Sequence, residues 1–246
     1  MQTILITGAT DGLGLALARL YRAQQQRLLL IGRRAFTDTP LLGEFWPEDY
    51  GQVDLAQIDA AEQIEQWLER RGSPRLDLLI HNAGQGYHGP TEQQSGDNIA
   101  ALVEVNLWAP IALTHRLLPR LRGGKVVFIS SVVSTLPCPE YAVYGATKAA
   151  LDGLARSLRI ELQGQVTIQV IHPGATRTGL HRKSGLSPEA IDAARFPSAE
   201  VTASRIEQAI AAGSRQATIG LSNRLLRLSG LYLNGLVAAA LRRRYR

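Results

Sequence analysis

Tyr144 and Lys148 stand four residues apart in Tyr144-Gly145-Ala146-Thr147-Lys148, and Ser131 lies thirteen residues before the tyrosine. A free phenol has a pKa of about 10 and exchanges protons poorly at neutral pH. An ammonium close by favours the phenolate and lowers that value. The pair therefore suits general acid/base chemistry. The Ala/Leu/Arg content of Ala146–Leu162 predicts a helix, and a spacing of four places Tyr144 and Lys148 on one face of it. The same pair also occurs as plain helix-surface packing, so its meaning depends on the elements around it.

Those elements alternate. Strands are predicted at Thr3–Thr7, Arg27–Gly32, Gln52–Asp54, Leu76–His81, Lys125–Ser130, Thr167–Ile171 and Ala217–Ile219. Helices are predicted at Leu13–Gln24, Ala60–Arg70, Ile99–Leu121, Ala146–Leu162 and Ala199–Ala212. Uninterrupted apolar strands such as Leu28-Leu29-Leu30-Ile31 suit a sheet covered on both faces. The pattern predicts βαβ units in one α/β domain, a doubly wound parallel sheet of about seven strands with helices on both faces. Two irregular stretches, Asn82–Gly89 and 177–197, follow strand ends, on the rim where ligands sit in such sheets. The second is the expected substrate lid.

The first strand runs into Thr7-Gly8-Ala9-Thr10-Asp11-Gly12-Leu13-Gly14 and then a helix. Glycines allow a tight turn and a close backbone approach to phosphate, and the helix N-terminus adds a favourable dipole. Strand, glycine turn and helix together predict dinucleotide binding. Three residues separate the first two glycines and one precedes the third, unlike the common dinucleotide fingerprint. This spacing resembles the glycine motif of the classical short-chain dehydrogenase/reductase family. The resemblance continues in order through Asp54, Asn82-Ala83-Gly84, Asn106, Ser131, Tyr144, Lys148 and Pro173-Gly174, with Thr178 beyond, over about 180 residues.

The resemblance implies a Rossmann fold and an oxidoreductase active site. It makes Tyr144 the proton donor in reduction, or acceptor in oxidation, and Lys148 the group that lowers its pKa and grips the nicotinamide ribose. Ser131 would hold the carbonyl oxygen and Asn106 would anchor a water linking Lys148 to solvent. Gly8, Thr10, Asp11, Gly12, Leu13 and Gly14 would cradle the pyrophosphate. Asp54 and Leu55 would border the adenine, and Asn82, Ala83 and Gly84 the adenosine ribose. Pro173 and Gly174 would pass the nicotinamide, with Thr178 as carboxamide partner and Thr176 as its competitor. Ser130, Ser134 and Tyr141 compete for the serine and tyrosine roles, and the spacing to Lys148 and Tyr144 decides against them. His81 stands where the family often has asparagine, and reads as a sheet-end side chain. Homodimers or homotetramers through Ile99–Leu121 and Ala146–Leu162 are also implied.

The second strand ends in Gly32-Arg33-Arg34. An acid there would bond a ribose 2′-hydroxyl, whereas arginine attracts a 2′-phosphate. The glycine loop lacks a basic residue, so the expectation of NADP(H) rests on Arg33 and Arg34. Tyr87, His88, Pro137, Cys138, Leu180 and Leu186 are expected near the substrate, which their mixture makes a moderately apolar carbonyl or alcohol.

Composition bounds the rest. The 246 residues are 45% hydrophobic and 20% charged, as in a globular protein with a sizeable core. Cys138 is the only cysteine, so no intrachain disulfide forms, and the five histidines lack metal-ligand spacing; a cytoplasmic location is expected. The N-terminus lacks a basic start and predicts no signal peptide. Of the 27 basic residues six lie in Ser222–Arg246, which has no acid, so the remaining 21 balance the 21 acidic residues. The excess of +6 therefore belongs to the tail, and the body shows no nucleic-acid-binding charge. A catalytic unit over 1–221 and a basic helical extension over 222–246 are expected. The extension would cover the pocket or join subunits; a sharper reading lays it on an anionic membrane. The expected activity is NADP(H)-dependent interconversion of a carbonyl and an alcohol. The alternative is an NADP(H)-binding sensor or membrane-attached regulatory protein without turnover.

Overall fold

The computed structural model describes residues 1–73, 75–186 and 193–244, so 187–192 of the expected lid lie outside the described residues. Strands β1 (Thr3–Thr7), β2 (Arg27–Gly32), β3 (Tyr50–Gln52), β4 (Leu78–His81), β5 (Lys125–Ile129), β6 (Thr167–His172) and β7 (Gln216–Thr218) form one sheet. Its order is β3-β2-β1-β4-β5-β6-β7, with every neighbouring pair parallel. The doubly wound fold expected from the alternating pattern is present.

Successive residues of a strand point to opposite faces, and here both faces are apolar. In β1, Ile4 and Ile6 pack with α1 (Gly12–Ala23) and α7 (Ala199–Ala211). Leu5 between them packs with α2 (Ala60–Arg70), α4 (Ala109–Leu117) and α5 (Ala142–Glu161). All three side chains are fully buried, each stabilising the fold by about 1.5–3 kcal/mol. The chain leaves β1 toward β2 and β3, then returns to place β4 on the other side of β1. That reversal opens a crevice beyond the carboxyl ends of β1 and β4.

Beside shifts of one or two residues at other element ends, three elements differ from expectation. The third strand ends at Gln52, not Asp54. Its pairing with β2 stops at Gly32↔Gln52, and Asp54 turns the chain by accepting the Ala56 N–H at 3.1 Å. The single helix expected over Ile99–Leu121 is broken into α3 (Gly96–Val103), a π turn (Glu104–Trp108), α4 and a 3₁₀ turn (Leu118–Leu121). Pro110 has no N–H to give the carbonyl of Asn106, and Pro119 repeats the defect. The fifth helix begins at Ala142, four residues earlier than expected, so Tyr144 sits inside its first turn.

Beyond β7, α8 (Leu221–Tyr232) and α9 (Asn234–Arg244) follow, with the short α6 (Leu180–Lys183) in the lid region. α8 is seated on the body: a Cβ on Gly230 would lie 2.4 Å from the Thr135 carbonyl oxygen. Asn223, Arg227 and Gly230 form its inward face, whereas Leu221, Leu225, Leu228 and Tyr232 are exposed. No described helix is long and apolar enough to cross a membrane.

Candidate active site

The glycine loop and the turn after β4 are built against each other. Gly8 has φ +66°, and a Cβ there would lie 2.7 Å from the Ala83 Cα. A Cβ on Gly14 would fall 2.2 Å from the Gly8 carbonyl oxygen and 2.4 Å from Asn82 Nδ2. Only glycine leaves this backbone open for a phosphate. Asn82 Nδ2 donates to the carbonyls of Thr7 (3.0 Å) and Gly8 (3.2 Å). Thr7 Oγ1 accepts the N–H groups of Asn82 and Ala83, both at 3.1 Å. Thr7 is a site residue that sequence reasoning misses, because its bonds run to a strand more than 70 residues away. Asn82 and Ala83 thus brace the loop.

Asp11 caps α1 by accepting the Gly12 N–H at 2.7 Å and pairs with Lys183 of α6 across the cleft. Burial pushes the Asp11 carboxyl up, but Lys183 and the Gly12 N–H outweigh it and leave the pKa below the usual value. Thr178 borders Gly12, 3.1 Å from where its Cβ would be. Thr176 turns inward instead, donating to the Gly174 carbonyl at 3.2 Å. Gly174 is pressed by Asn223 of α8, 2.3 Å from where its Cβ would be, which leaves no room for a side chain after Pro173.

Arg33 and Arg34 follow the end of β2, and both are exposed. Arg34 donates to the Thr10 carbonyl at 2.7 Å, which ties its guanidinium to the glycine loop. Leu55 is buried in the core beside Val53, so only its backbone is open to a ligand; Leu13 packs against the opposite layer. The open cradle and the two guanidiniums fit a phosphorylated dinucleotide.

At the end of β5, Ser131 is extended and caps a 3₁₀ turn, its Oγ accepting the Val133 N–H at 3.4 Å. Its hydroxyl also reaches that of Tyr144. Tyr144 lies in the first turn of α5, where the helix dipole favours negative charge. Lys148 is buried one turn on, with Nζ 5.7 Å from the Tyr144 ring centroid and 2.9 Å from the Ile129 carbonyl. Burial pushes the Tyr144 phenol up to about 12, against the pull of the Ser131 hydrogen bond. Burial draws Lys148 down to about 8, with Asp152 opposing. Lys148 is not among the groups that shift Tyr144, and its ammonium is bonded to the Ile129 carbonyl.

Asn106 lies in the π turn, fully buried. Its Oδ1 accepts the Gln85 N–H at 2.8 Å, and Nδ2 donates to the Gln85 carbonyl at 2.9 Å and to Thr147 Oγ1 at 3.2 Å. It pins the loop after Gly84 to the helix carrying Lys148. A Cβ on Gly84 would lie 3.6 Å from Lys148 Nζ. The competitors are occupied: Ser130 Oγ donates to the Lys148 carbonyl at 3.1 Å, and Ser134 Oγ to Asp152 at 2.9 Å. His81 is buried, bonded through Nε2 to Thr114 Oγ1 at 2.9 Å and stacked on Phe128; burial draws its pKa down to about 3, so it stays neutral.

Toward the lid, the Tyr144 ring meets Tyr141 (6.1 Å between centroids), which meets His88 (5.1 Å). His88 Nε2 lies 3.5 Å from Glu140. Tyr141 thus joins the site as a wall rather than as an acid. Tyr87 folds onto Gly89, and Leu180 lies 4.0 Å from where a Gly86 Cβ would be. Half-buried Cys138 has its thiol pushed up by burial and by Glu140, which keeps it protonated. Among the described residues no cluster of His, Cys, Asp or Glu could hold a metal.

A family model described as short chain dehydrogenase matches residues 2–188. The chain is 36% identical over 192 residues to dehydrogenase/reductase SDR family member 7B of Bos taurus, a match covering 72% of this chain and 58% of that protein. The chain thus spans little more than half the length of that relative. A short-chain dehydrogenase from Sphingobium yanoikuyae in complex with NADPH superposes with TM-score 0.78 at 25% identity, covering 97% of this chain and 96% of the other. A 4-hydroxyisoleucine dehydrogenase complexed with NADH gives TM-score 0.78 at 24% identity, covering 89% and 96%, a likeness of fold.

Proposed function

Because this chain belongs to the short-chain dehydrogenase family, we propose that it is an NADP(H)-dependent oxidoreductase interconverting a ketone or aldehyde and an alcohol, with Tyr144 as general acid/base. The observation that carries this reading is Tyr144 one turn from buried Lys148 on α5, the Nζ 5.7 Å from the tyrosine ring centre, beside the open glycine cradle. Binding alone needs no proton donor, which argues against a sensor without turnover. NADPH, when bound, supplies the hydride that reduces the carbonyl carbon. The hydroxyls of Ser131 and Tyr144 hold the carbonyl oxygen, and Tyr144 gives its proton as negative charge grows there. A phenol near pKa 12 is protonated at neutral pH and so is ready to donate its proton in the reductive direction. Lys148 supplies positive charge behind the phenol. Asn106 shapes the space beside it by holding Gln85 and Thr147, and a water in that space would return the proton.

The preference for NADP(H) rests on Arg33 and Arg34. Arg34 is tied to the Thr10 carbonyl, and the Arg33 guanidinium would grip a 2′-phosphate. Tyr87, His88, Cys138 and Leu180, with Tyr141, line the substrate side. Exposed Trp108 and Ile160 support a homo-oligomer through the α3–α4 segment and α5.

α8 supports a second, compatible role. Its polar side faces the body and its leucines face out, the reverse of an ordinary surface helix. Arg224 lies in this helix, Arg242, Arg243 and Arg244 follow it along the chain, and no acid follows Glu207. An anionic lipid surface is the occupant that complements such a face. Co-sedimentation with phosphatidylserine vesicles should fall sharply when Arg242, Arg243 and Arg244 become glutamine. Equal binding would leave a second copy of the chain as the occupant.

The enzymatic reading is tested by NADPH oxidation with a panel of ketones and aldehydes. Turnover lost in Tyr144→Phe, with NADPH binding kept, supports it. Tight NADPH binding with no turnover of the wild type on any carbonyl would favour the sensor.

A further inference from the structure

Asp152 lies one helical turn beyond Lys148, continuing the face that begins at Tyr144. It is 3% exposed, yet four side chains converge on it. His172 at the end of β6, itself fully buried, approaches both carboxylate oxygens through Nε2 at 2.9 Å. Ser134 Oγ donates to Oδ2 at 2.9 Å, and Arg227 of α8 donates to the same oxygen at 3.2 Å. The Ser130 hydroxyl, whose proton goes to the Lys148 carbonyl, lies beside that carboxylate.

This node is a poor device for stability. His172 Nδ1 and Arg227 Nε are buried without partners among the described residues. A buried ion pair with orphaned atoms is seldom more stable than apolar side chains of the same volume. Its position suggests a different purpose. Lys148 carries a buried positive charge, and its ammonium is bonded to a carbonyl, not to a carboxylate. Around Lys148 stand Tyr144 and Asp152 on its own helix, the Ile129 carbonyl that its ammonium bonds, the backbone of Gly84 with Asn106 Oδ1 beside it, and Ser130, whose Oγ donates to the Lys148 carbonyl. Asp152 is the one carboxylate among these groups. Facing Asp152 in turn are Lys148 and Arg159 on its own helix, His172 from β6, Arg227 from α8 and the two serines.

We propose that Asp152 is a positioning residue for Lys148, the buried counter-charge that keeps the ammonium protonated, and that Arg227 moderates it from the C-terminal helix. The inference rests on Lys148 acting in the proposed reaction. Asp152 holds the lysine in its charged form against the cost of burial, and Arg227 offsets part of that negative charge. The C-terminal helix is thereby coupled to the catalytic helix.

The two partners have opposite signs, which separates this role from a merely structural one. Asp152→Asn removes negative charge, so Lys148 loses its proton at lower pH. The alkaline limb of kcat/KM should move to lower pH, with activity above the new limb falling roughly tenfold for every pH unit by which the limb moves. Arg227→Gln leaves Asp152 less offset, and the limb should move to higher pH. Asp152→Glu keeps the charge and should restore a limb near that of the wild type. The pH dependence of NADPH binding, followed by cofactor fluorescence, should shift in the same directions without any turnover. Limbs that stay put, or that move the same way in Asp152→Asn and Arg227→Gln, overturn the proposal. Should Asp152→Asn fail to fold, Arg227→Gln decides alone: a shift upward supports the role, and no shift or a downward one ends it. Turnover retained in Tyr144→Phe would instead overturn the reading of the site itself.

Discussion

The ammonium of Lys148 lies over the ring of Tyr144, 5.7 Å from its centre, and hydrogen-bonds the Ile129 carbonyl. In this arrangement the lysine supports the tyrosine through its charge while its own protons are held by the end of β5. Both groups are shifted by burial, the phenol up to about 12 and the ammonium down to about 8. The pair therefore titrates in opposite directions from its solution values.

Reduction requires both protons in place. Tyr144 keeps its proton throughout the working range, so Lys148 sets the alkaline limit. The rate of carbonyl reduction should be flat below about pH 7 and fall as pH rises through about 8. The same shift has a stability consequence of opposite sign. The unfolded chain binds the Lys148 proton up to its ordinary value near 10.5, and the folded chain releases it near 8. Between those values this one group makes folding more favourable as pH rises. A pH series of kcat/KM checks the first statement, and chemical denaturation across the same range checks the second.

Tyr144→Phe removes the proton donor and leaves the ring in place. We expect kcat to fall about 100- to 10,000-fold with NADPH affinity little changed. Steady-state kinetics beside a binding titration distinguishes this from a folding defect.

Arg33→Asp replaces attraction for a 2′-phosphate with repulsion. A charged hydrogen bond contributes about 1.5–3 kcal/mol, so the NADPH-to-NADH preference should drop at least about tenfold. Arg34→Ala acts differently, because Arg34 braces the Thr10 carbonyl; it should weaken both cofactors together. Kd values for the two nucleotides measure both effects.

Asn106→Ala strips partners from the Gln85 N–H and carbonyl. Each unpartnered buried group costs about 1–3 kcal/mol. The melting temperature should fall by at least about 4 °C, with loss of turnover. Calorimetry and kinetics together read this.

Gly14→Ala would thrust a methyl to 2.2 Å from the Gly8 carbonyl oxygen. The loop must shift, at about 1–3 kcal/mol, and NADPH binding should weaken more than stability does. Binding and melting measured on the same protein separate the two.

Much of the site can be read along the chain because it depends on local spacing. The Gly8–Gly14 loop follows a strand and opens a helix; Tyr144 and Lys148 share a helix face; Arg33 and Arg34 end a strand. The parallel sheet follows from the βαβ rule, and apolar runs such as Leu28–Ile31 announce a doubly covered sheet. The third strand lies two residues earlier than its pattern suggests, because Val53-Asp54 looks as strand-like as Tyr50-Gly51-Gln52 and only pairing with β2 separates them. Pro110 is the one local sign of the break at Asn106, and the apolar periodicity of Ile99–Leu121 runs across it and hides it.

Sequence alone determined which residue types stand at which separations. This is enough for the fold class and for the kind of chemistry the site can support, since both are built from short-range patterns. Tertiary structure decided what lies between residues far apart in the chain. It brought Thr7 to Asn82, Gln85 to Asn106, Asn223 to Gly174, and Arg227 and His172 to Asp152. It also set the sign of the shifts at Tyr144 and Lys148, because desolvation depends on how completely the folded chain excludes water, which no spacing records.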